Sequence, residues 1–262
     1  MKAMYTKEYF EKKYMDSKLG ISAESRRAYL YKKMTSILHH SFPQAKTIVE
    51  IGTGVGYLTK HLARLPGSPL VVSTDVSDSV LSIVRENLAD ITNVTFCKVD
   101  AQKQPFQNAT ADIMAAFDVV EHLKEPEKLF VEAFRVLRPG GILMISTPNP
   151  SSLGYRVKGH YPEWAGRPEE ERMWQWFGFR DDTHVNIRSI NSWRELIRSA
   201  GFEIVRDGTD FWWDAPYFKY VPTILQNIAC KGTHRLLTKL FGFLPWSYGE
   251  NFLAVCRKPV GG

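Results

Sequence analysis

Two stretches of this 262-residue chain carry groups whose type and spacing can do chemistry. In Asp118-Val119-Val120-Glu121-His122 two carboxylates stand three residues apart, with an imidazole beside the second. On a helix this spacing puts Asp118 and Glu121 on one face, with His122 adjacent. Such a cluster can ligate a divalent cation, supply a general base, or serve only the packing of its own segment. Histidine titrates near neutrality, so at the mouth of a cleft it can take a proton from a phenol or polarise a hydroxyl. In Glu50-Ile51-Gly52-Thr53-Gly54-Val55-Gly56 three glycines alternate with larger residues, which lets the backbone turn tightly and approach a ligand. The dinucleotide fingerprint GxGxxG would need glycine at position 57, where Tyr57 stands, and this counts against a nicotinamide oxidoreductase.

Positioning these groups requires strands that end beside them. TIVEIG, from Thr47 to Gly52, is a β-branched run closed by a glycine turn and reads as a buried strand. Further strands are expected at Leu70 to Asp75, Val94 to Val99, Asp112 to Phe117 and Ile142 to Ser146. Helices alternate with them at Tyr57 to Leu65, at Asp78 to Ala89 with Ser77 as cap, and at Pro126 to Leu137. This alternation implies a parallel sheet covered on both faces, with ligands beyond the carboxyl ends of its strands. A helix at Ser192 to Ser199 and strands at Phe202 to Asp207 and Asn251 to Arg257 follow, the last two able to pair antiparallel. The implied organisation is a helical segment over 1–45, in which Gly20 divides two helices, an α/β core over 46–148, a lid over 149–190, and a completion of the sheet over 191–262. The lid carries Tyr155, Tyr161, Trp164, Trp174, Trp176 and Phe177, and Phe211, Trp212, Trp213, Tyr217, Phe218 and Tyr220 come later. Aromatics in such numbers either wall a pocket for a large apolar ligand or fill the core of the carboxyl-terminal half. Thr233 to Leu244, THRLLTKLFGFL, is basic and apolar at helical spacing, and either packs on the sheet or touches a membrane surface.

The hydrophobic fraction of 44% and the charged fraction of 24% are those of an ordinary globular protein and exclude disordered and fibrous classes. A net charge of +6 permits an anionic partner, but the Lys and Arg residues are dispersed, which makes a nucleic-acid partner a poor fit. Cys97, Cys230 and Cys256 are odd in number and far apart, so neither a disulfide framework nor a zinc knuckle is expected, and a cytoplasmic location fits. The amino terminus has no apolar signal core, and no stretch approaches the roughly 18 apolar residues of a membrane span.

From about Thr47 to Asn149 the chain resembles the class I S-adenosylmethionine-dependent methyltransferases, through four motifs in the expected order. VEIGTGVG resembles the family's first motif. Asp75 matches the acidic residue that accepts hydrogen bonds from the ribose hydroxyls, and Asp100-Ala101 matches the pair that meets adenine. FDVVEHL followed by LRPGGILMISTPN resembles the fourth strand, its helix and the fifth strand. The resemblance implies a doubly wound, seven-stranded, mainly parallel sheet of Rossmann-like form. It also implies a donor site made of Glu50, Gly52, Thr53, Gly54, Gly56, Asp75, Val76, Asp100, Ala101 and Asp118. The donor's cationic sulfonium and amino groups, diol and adenine call for acidic groups, close backbone and a flat apolar wall. Glu50 and Asp75 can supply the first, and Val76 can border the adenine.

On the acceptor side Asp118-x-x-Glu121-His122 resembles the ExxEH motif of ubiquinone-biosynthesis O-methyltransferases and small-RNA 2′-O-methyltransferases, where it binds magnesium or a similar metal. A later histidine completes that site, and His184 is the candidate here. The resemblance therefore implies Mg2+ held by Asp118, Glu121, His122 and His184, with His122, Glu121 and His184 as catalytic groups. Asp118 in place of glutamate is one methylene short of the motif. The expected enzyme methylates a hydroxyl of a hydrophobic, ring-bearing or sugar small molecule. The alternatives are an RNA 2′-O-methyltransferase and a donor-binding scaffold without catalysis.

Overall fold

A computed structural model describes residues 23–154, 183–212, 217–218 and 220–261. The first of the two expected amino-terminal helices, the Gly20 that divides them, the lid aromatics from Tyr155 to Phe177, and Trp213 lie outside the described residues.

The β-branched runs form the sheet. Its strands are β1 (Thr47–Ile51), β2 (Leu70–Asp75), β3 (Val94–Lys98), β4 (Ala111–Phe117), β5 (Leu137–Pro148), β6 (Glu203–Thr209) and β7 (Asn251–Arg257). The helices are α1 (Ala23–Ser41), α2 (Tyr57–Ala63), α3 (Asp78–Asn87), α4 (Pro126–Val136), α5 (Ile190–Ser199) and α6 (Thr223–Phe241). The seven strands lie in the order β3-β2-β1-β4-β5-β7-β6. The first five are parallel, and β7 runs antiparallel to both β5 and β6. This is the mainly parallel, doubly wound, seven-stranded sheet that the resemblance implies, and β6 and β7 pair antiparallel as expected.

Because successive strand residues face opposite ways, each strand feeds two cores. Val49, Ile51, Met114, Ala116, Leu143 and Ile145 pack against Phe130 of α4 and Trp193 of α5 on one face. Ile48, Ile113, Ala115, Phe117, Ile142 and Met144 pack against Met34 and Leu38 of α1 and Leu58 and Leu62 of α2 on the other. Near-continuous burial of β1 and β4 follows from this double cover. The expected strand from Ile142 to Ser146 is longer at both ends, since β7 pairs from Ile142↔Arg257 to Pro148↔Asn251 and Gly140 N–H donates to the Lys258 carbonyl. Ser77 stands at the N-cap of α3, but its side chain makes no capping bond. Among the described residues no helix is long and apolar enough to cross a membrane.

Candidate functional site

From β1 the chain winds outward through β2 and β3, then returns to place β4 on the other side of β1. The crevice between the carboxyl ends of β1 and β4 is thus the topological switch point, where open α/β sheets hold ligands. The glycine loop leaves β1 at this point, with Gly52, Gly54 and Gly56 at φ of +72°, +53° and +88°. Only glycine adopts this region freely, so the alternate spacing is a conformational requirement. Protein packing adds to it at two of the three: a Cβ on Gly52 would stand 2.4 Å from Val119 Cγ2, and one on Gly56 2.5 Å from Val84 Cγ2. At Gly52 and Gly56 the missing side chain therefore also makes room for neighbouring valines.

Two carboxyls flank this loop. Glu50, near the end of β1, is buried and accepts a hydrogen bond from the Thr59 hydroxyl at 2.5 Å, and the Thr53 and Thr59 hydroxyls are hydrogen-bonded at 2.8 Å. Burial pushes the Glu50 carboxyl up to about 8, against the lowering effect of the Thr59 hydrogen bond and with help from the nearby Asp75 charge. Asp75, ending β2, accepts N–H bonds from Ser77 at 3.0 Å and Gly54 at 3.4 Å. It too is raised, by burial first, although these backbone N–H groups oppose the shift. Two neighbouring carboxyls raised by burial make a place where a cationic ligand gains binding energy. Val76 beside them is 54% exposed, an apolar surface next to acidic groups. At the end of β3, Asp100 is exposed and accepts from Gln102 N–H at 2.9 Å, whereas Ala101 is buried.

The acceptor-side cluster differs from the helical arrangement expected. Asp118 follows β4 in the left-handed region at φ +57°, and only Val120–His122 forms a short 3-10 turn. Asp118 and Glu121 therefore do not share a helical face. Asp118 accepts from Ser146 Oγ at 3.3 Å, and its backbone N–H donates to the Ser146 carbonyl. Glu121, fully buried, accepts from Thr147 Oγ1 at 3.1 Å. The segment 183–186 is fastened over this turn: Asn186 N–H donates to the Glu121 carbonyl, and Asn186 Nδ2 to the Leu123 carbonyl at 3.1 Å. His184 is thereby brought 4.9 Å, ring to ring, from His122.

One ligand atom from each of Glu121, His122 and His184 lies within 4.8 Å of the others, and Asp118 stands outside that group. His122 Nδ1 lies 3.0 Å from the Thr183 carbonyl and 2.9 Å from Thr183 Oγ1; with the proton on Nδ1 the ring donates to the carbonyl, which only accepts. In the neutral ring the lone pair is then on Nε2, the tautomer that both a general base and a metal ligand require. Two imidazoles and one carboxylate suit zinc or another transition metal; Mg2+ prefers an all-oxygen shell. Among the described residues, three of the four groups expected to hold Mg2+ thus come together.

Several supporting groups gave no signal in the sequence: Thr59 lies nine residues from Glu50, and Thr147 and Thr183 meet Glu121 and His122 only through folding. Beyond β5, Asn149 is buried and its Nδ2 donates to the carbonyls of Ser247 and Gly249, both at 2.8 Å. Next to it the Tyr217 hydroxyl donates to the Glu250 carboxylate. Of the later aromatics, Tyr217 is buried and Phe211 stacks between Trp212 and Trp246, while Tyr220 is 91% exposed.

Comparison with known proteins agrees with this architecture. A malonyl-[acyl-carrier protein] O-methyltransferase of Marinomonas sp. is 23% identical over 177 residues, 66% of this chain and 60% of that protein. A ubiquinone/menaquinone biosynthesis C-methyltransferase of Salmonella arizonae is 32% identical over 106 residues, 39% of this chain and 42% of that protein. The chain therefore spans less than two thirds of the length of either curated relative. In fold it is similar to a SAM-dependent methyltransferase from Aquifex aeolicus, with a TM-score of 0.59 at 16% identity, covering 97% of this chain and 99% of that one. The profile of the methyltransferase domain matches residues 23–207, more than half of the chain, and the chain belongs to that family.

Proposed function

We propose that this chain transfers a methyl group from S-adenosylmethionine to a small-molecule acceptor, at a hydroxyl oxygen. The observation that carries the reading is the pair of raised carboxyls, Glu50 and Asp75, around a left-handed glycine loop at the switch point. A donor with a cationic sulfonium and ammonium suits that place, with Asp75 on the ribose hydroxyls and Val76, Asp100 and Ala101 about the adenine. The acceptor oxygen attacks the methyl carbon in line, the carbon–sulfur bond breaks, and its electron pair stays on sulfur, which becomes a neutral thioether. The hydroxyl proton passes to His122 Nε2. Alignment and exclusion of water supply much of the acceleration.

Glu121 is bonded by Thr147, and in this reading His122 carries its proton on Nδ1, where the Thr183 carbonyl accepts it. Asp118, at the end of β4, borders the donor. If a divalent ion is held, Glu121, His122 and His184 are its ligands, and its chemistry is to lower the pKa of a bound hydroxyl. The acceptor we favour is hydrophobic and ring-bearing or a sugar. The names of the two curated relatives speak of an acyl-carrier-protein conjugate and a quinone pathway, and neither supports an RNA acceptor.

The test is calorimetry with S-adenosylhomocysteine, repeated with EDTA and with added zinc or magnesium. It is followed by a panel of hydroxylated acceptors in which release of S-adenosylhomocysteine from the donor is measured. Micromolar binding without metal dependence is expected from the carboxyl pair alone. No binding under any condition would remove the reading.

A further inference from the structure

Helix α6 is built inside out. The side chains it turns inward are polar, with Gln226, His234 and Thr238 buried, while Ile224 and Ile228 are both 68% exposed and Leu225, Leu236 and Leu240 are more than half exposed. Gln226 is consumed by local structure: its Oε1 accepts from the N–H groups of Tyr217 and Phe218, and its Nε2 donates to the carbonyls of Phe218 and Val221. The usual rule for a surface helix, apolar inward and polar outward, is reversed. Exposed apolar residues continue beyond the helix start in Phe218, Tyr220 and Val221. A contiguous surface of this kind marks an interaction site.

Charge on the same helix identifies the occupant. Between Thr223 and Phe241 there is no Asp or Glu, whereas Lys231, Arg235 and Lys239 recur every four residues. That spacing sets them in one row on the helix, running beside Ile224 and Ile228. Arg235 and Lys239 are exposed. Against a second copy of this chain, the row would meet the same cations with no acid on the helix to answer them. An anionic bilayer answers both features, since branched aliphatics enter the boundary of the acyl chains while long basic side chains extend to the headgroups.

We infer that the outward face of α6, with Tyr220, docks peripherally on a membrane bearing anionic lipids. The start of the helix is tied, through the Tyr217–Glu250 hydrogen bond and the bond from Asn149 N–H to the Glu250 carbonyl, to the carboxyl end of β5. Docking therefore brings the bilayer to the end of the sheet that carries the candidate site. The inference does not depend on methyl transfer, because binding to vesicles is read with neither donor nor acceptor present.

The experiment is co-sedimentation of the full chain with vesicles of phosphatidylcholine alone and of phosphatidylcholine mixed with phosphatidylglycerol. Partitioning onto the mixed vesicles is expected to exceed that onto the neutral ones by about tenfold or more at low salt, and to weaken as salt rises. The exposed double variant Ile228→Asp with Leu236→Asp should lose about tenfold or more of that binding, with its thermal unfolding unchanged. Arg235→Gln with Lys239→Gln should bring the two vesicle types level. The inference is overturned if the wild-type chain stays in the supernatant with mixed vesicles, or if the aspartate variant sediments as the wild type does. It is overturned equally if light scattering finds a lipid-free dimer that the aspartate substitutions dissociate and that binds no vesicles, for then a second copy covers the face.

Discussion

Replacing Glu50 by glutamine removes a buried carboxyl while keeping its size and an oxygen to accept the Thr59 hydroxyl. In the donor-free protein that carboxyl sits near 8, raised chiefly by burial. At pH 7 it is therefore about one unit below its pKa and mostly protonated, and ionising it costs about 1.4 kcal/mol. A bound cation reverses the balance, so donor binding should release close to one proton at pH 7. The affinity should rise by up to about tenfold per pH unit between roughly 6 and 8, then level off. The assay is calorimetry of S-adenosylhomocysteine in buffers of different ionisation enthalpy, which counts protons directly. The ligand's own α-amino group titrates near 8, and Glu50→Gln corrects for it because the ligand is the same in both titrations. The variant should lose the released proton and about tenfold in affinity at pH 8. The folding linkage has the opposite sign. A carboxyl raised from 4.5 in the unfolded chain to about 8 contributes stability that is present below 4.5 and lost as pH rises through 8. The donor-free protein should therefore melt at lower temperature as pH rises across that window, and the glutamine variant less so. Equal proton release by wild type and variant would refute the reasoning, since Glu50 would then be insensitive to the bound ligand's ammonium.

Asp75→Ala should weaken S-adenosylhomocysteine binding at least about tenfold, or 1.4 kcal/mol, by calorimetry; unchanged affinity would dissociate Asp75 from the ribose. His122→Ala is expected to lower turnover with donor affinity nearly intact, and an equal loss of both would assign His122 to structure alone. For Gly52→Ala, the left-handed backbone and the 2.4 Å approach to Val119 predict a loss of about 1–3 kcal/mol in urea unfolding. Adding Val119→Ala should return only the part due to the clash. Trp193→Ala, at a fully buried site between α5 and the sheet, should cost about 3–5 kcal/mol in the same assay.

The sequence by itself determined the order of β1 to β5 and their helices, because burial on both faces and turn glycines are written in short local runs. It also located the glycine loop after β1, since three left-handed positions at alternate spacing demand glycine. Local pattern could not tell that Val119 and Val84 claim the space at Gly52 and Gly56, or that Asp118 leaves the helical path and turns toward Ser146. The resemblance pointed to His184 as a partner of His122, yet only the fold, through Asn186 and Thr183, brings the two rings together and leaves Asp118 aside. The raised Glu50 carboxyl likewise depends on burial that only the fold supplies, and its partner Thr59 is held in turn by Thr53 and Ser73. The spacing from Thr233 to Leu244 pointed to a basic, apolar helix, but that Gln226, His234 and Thr238 of α6 face inward is visible only in the fold. Residue type and period specify what an element can bury. Which groups meet, and so which pKa values shift and which faces stay open, is set by contacts across the chain that the tertiary fold alone supplies.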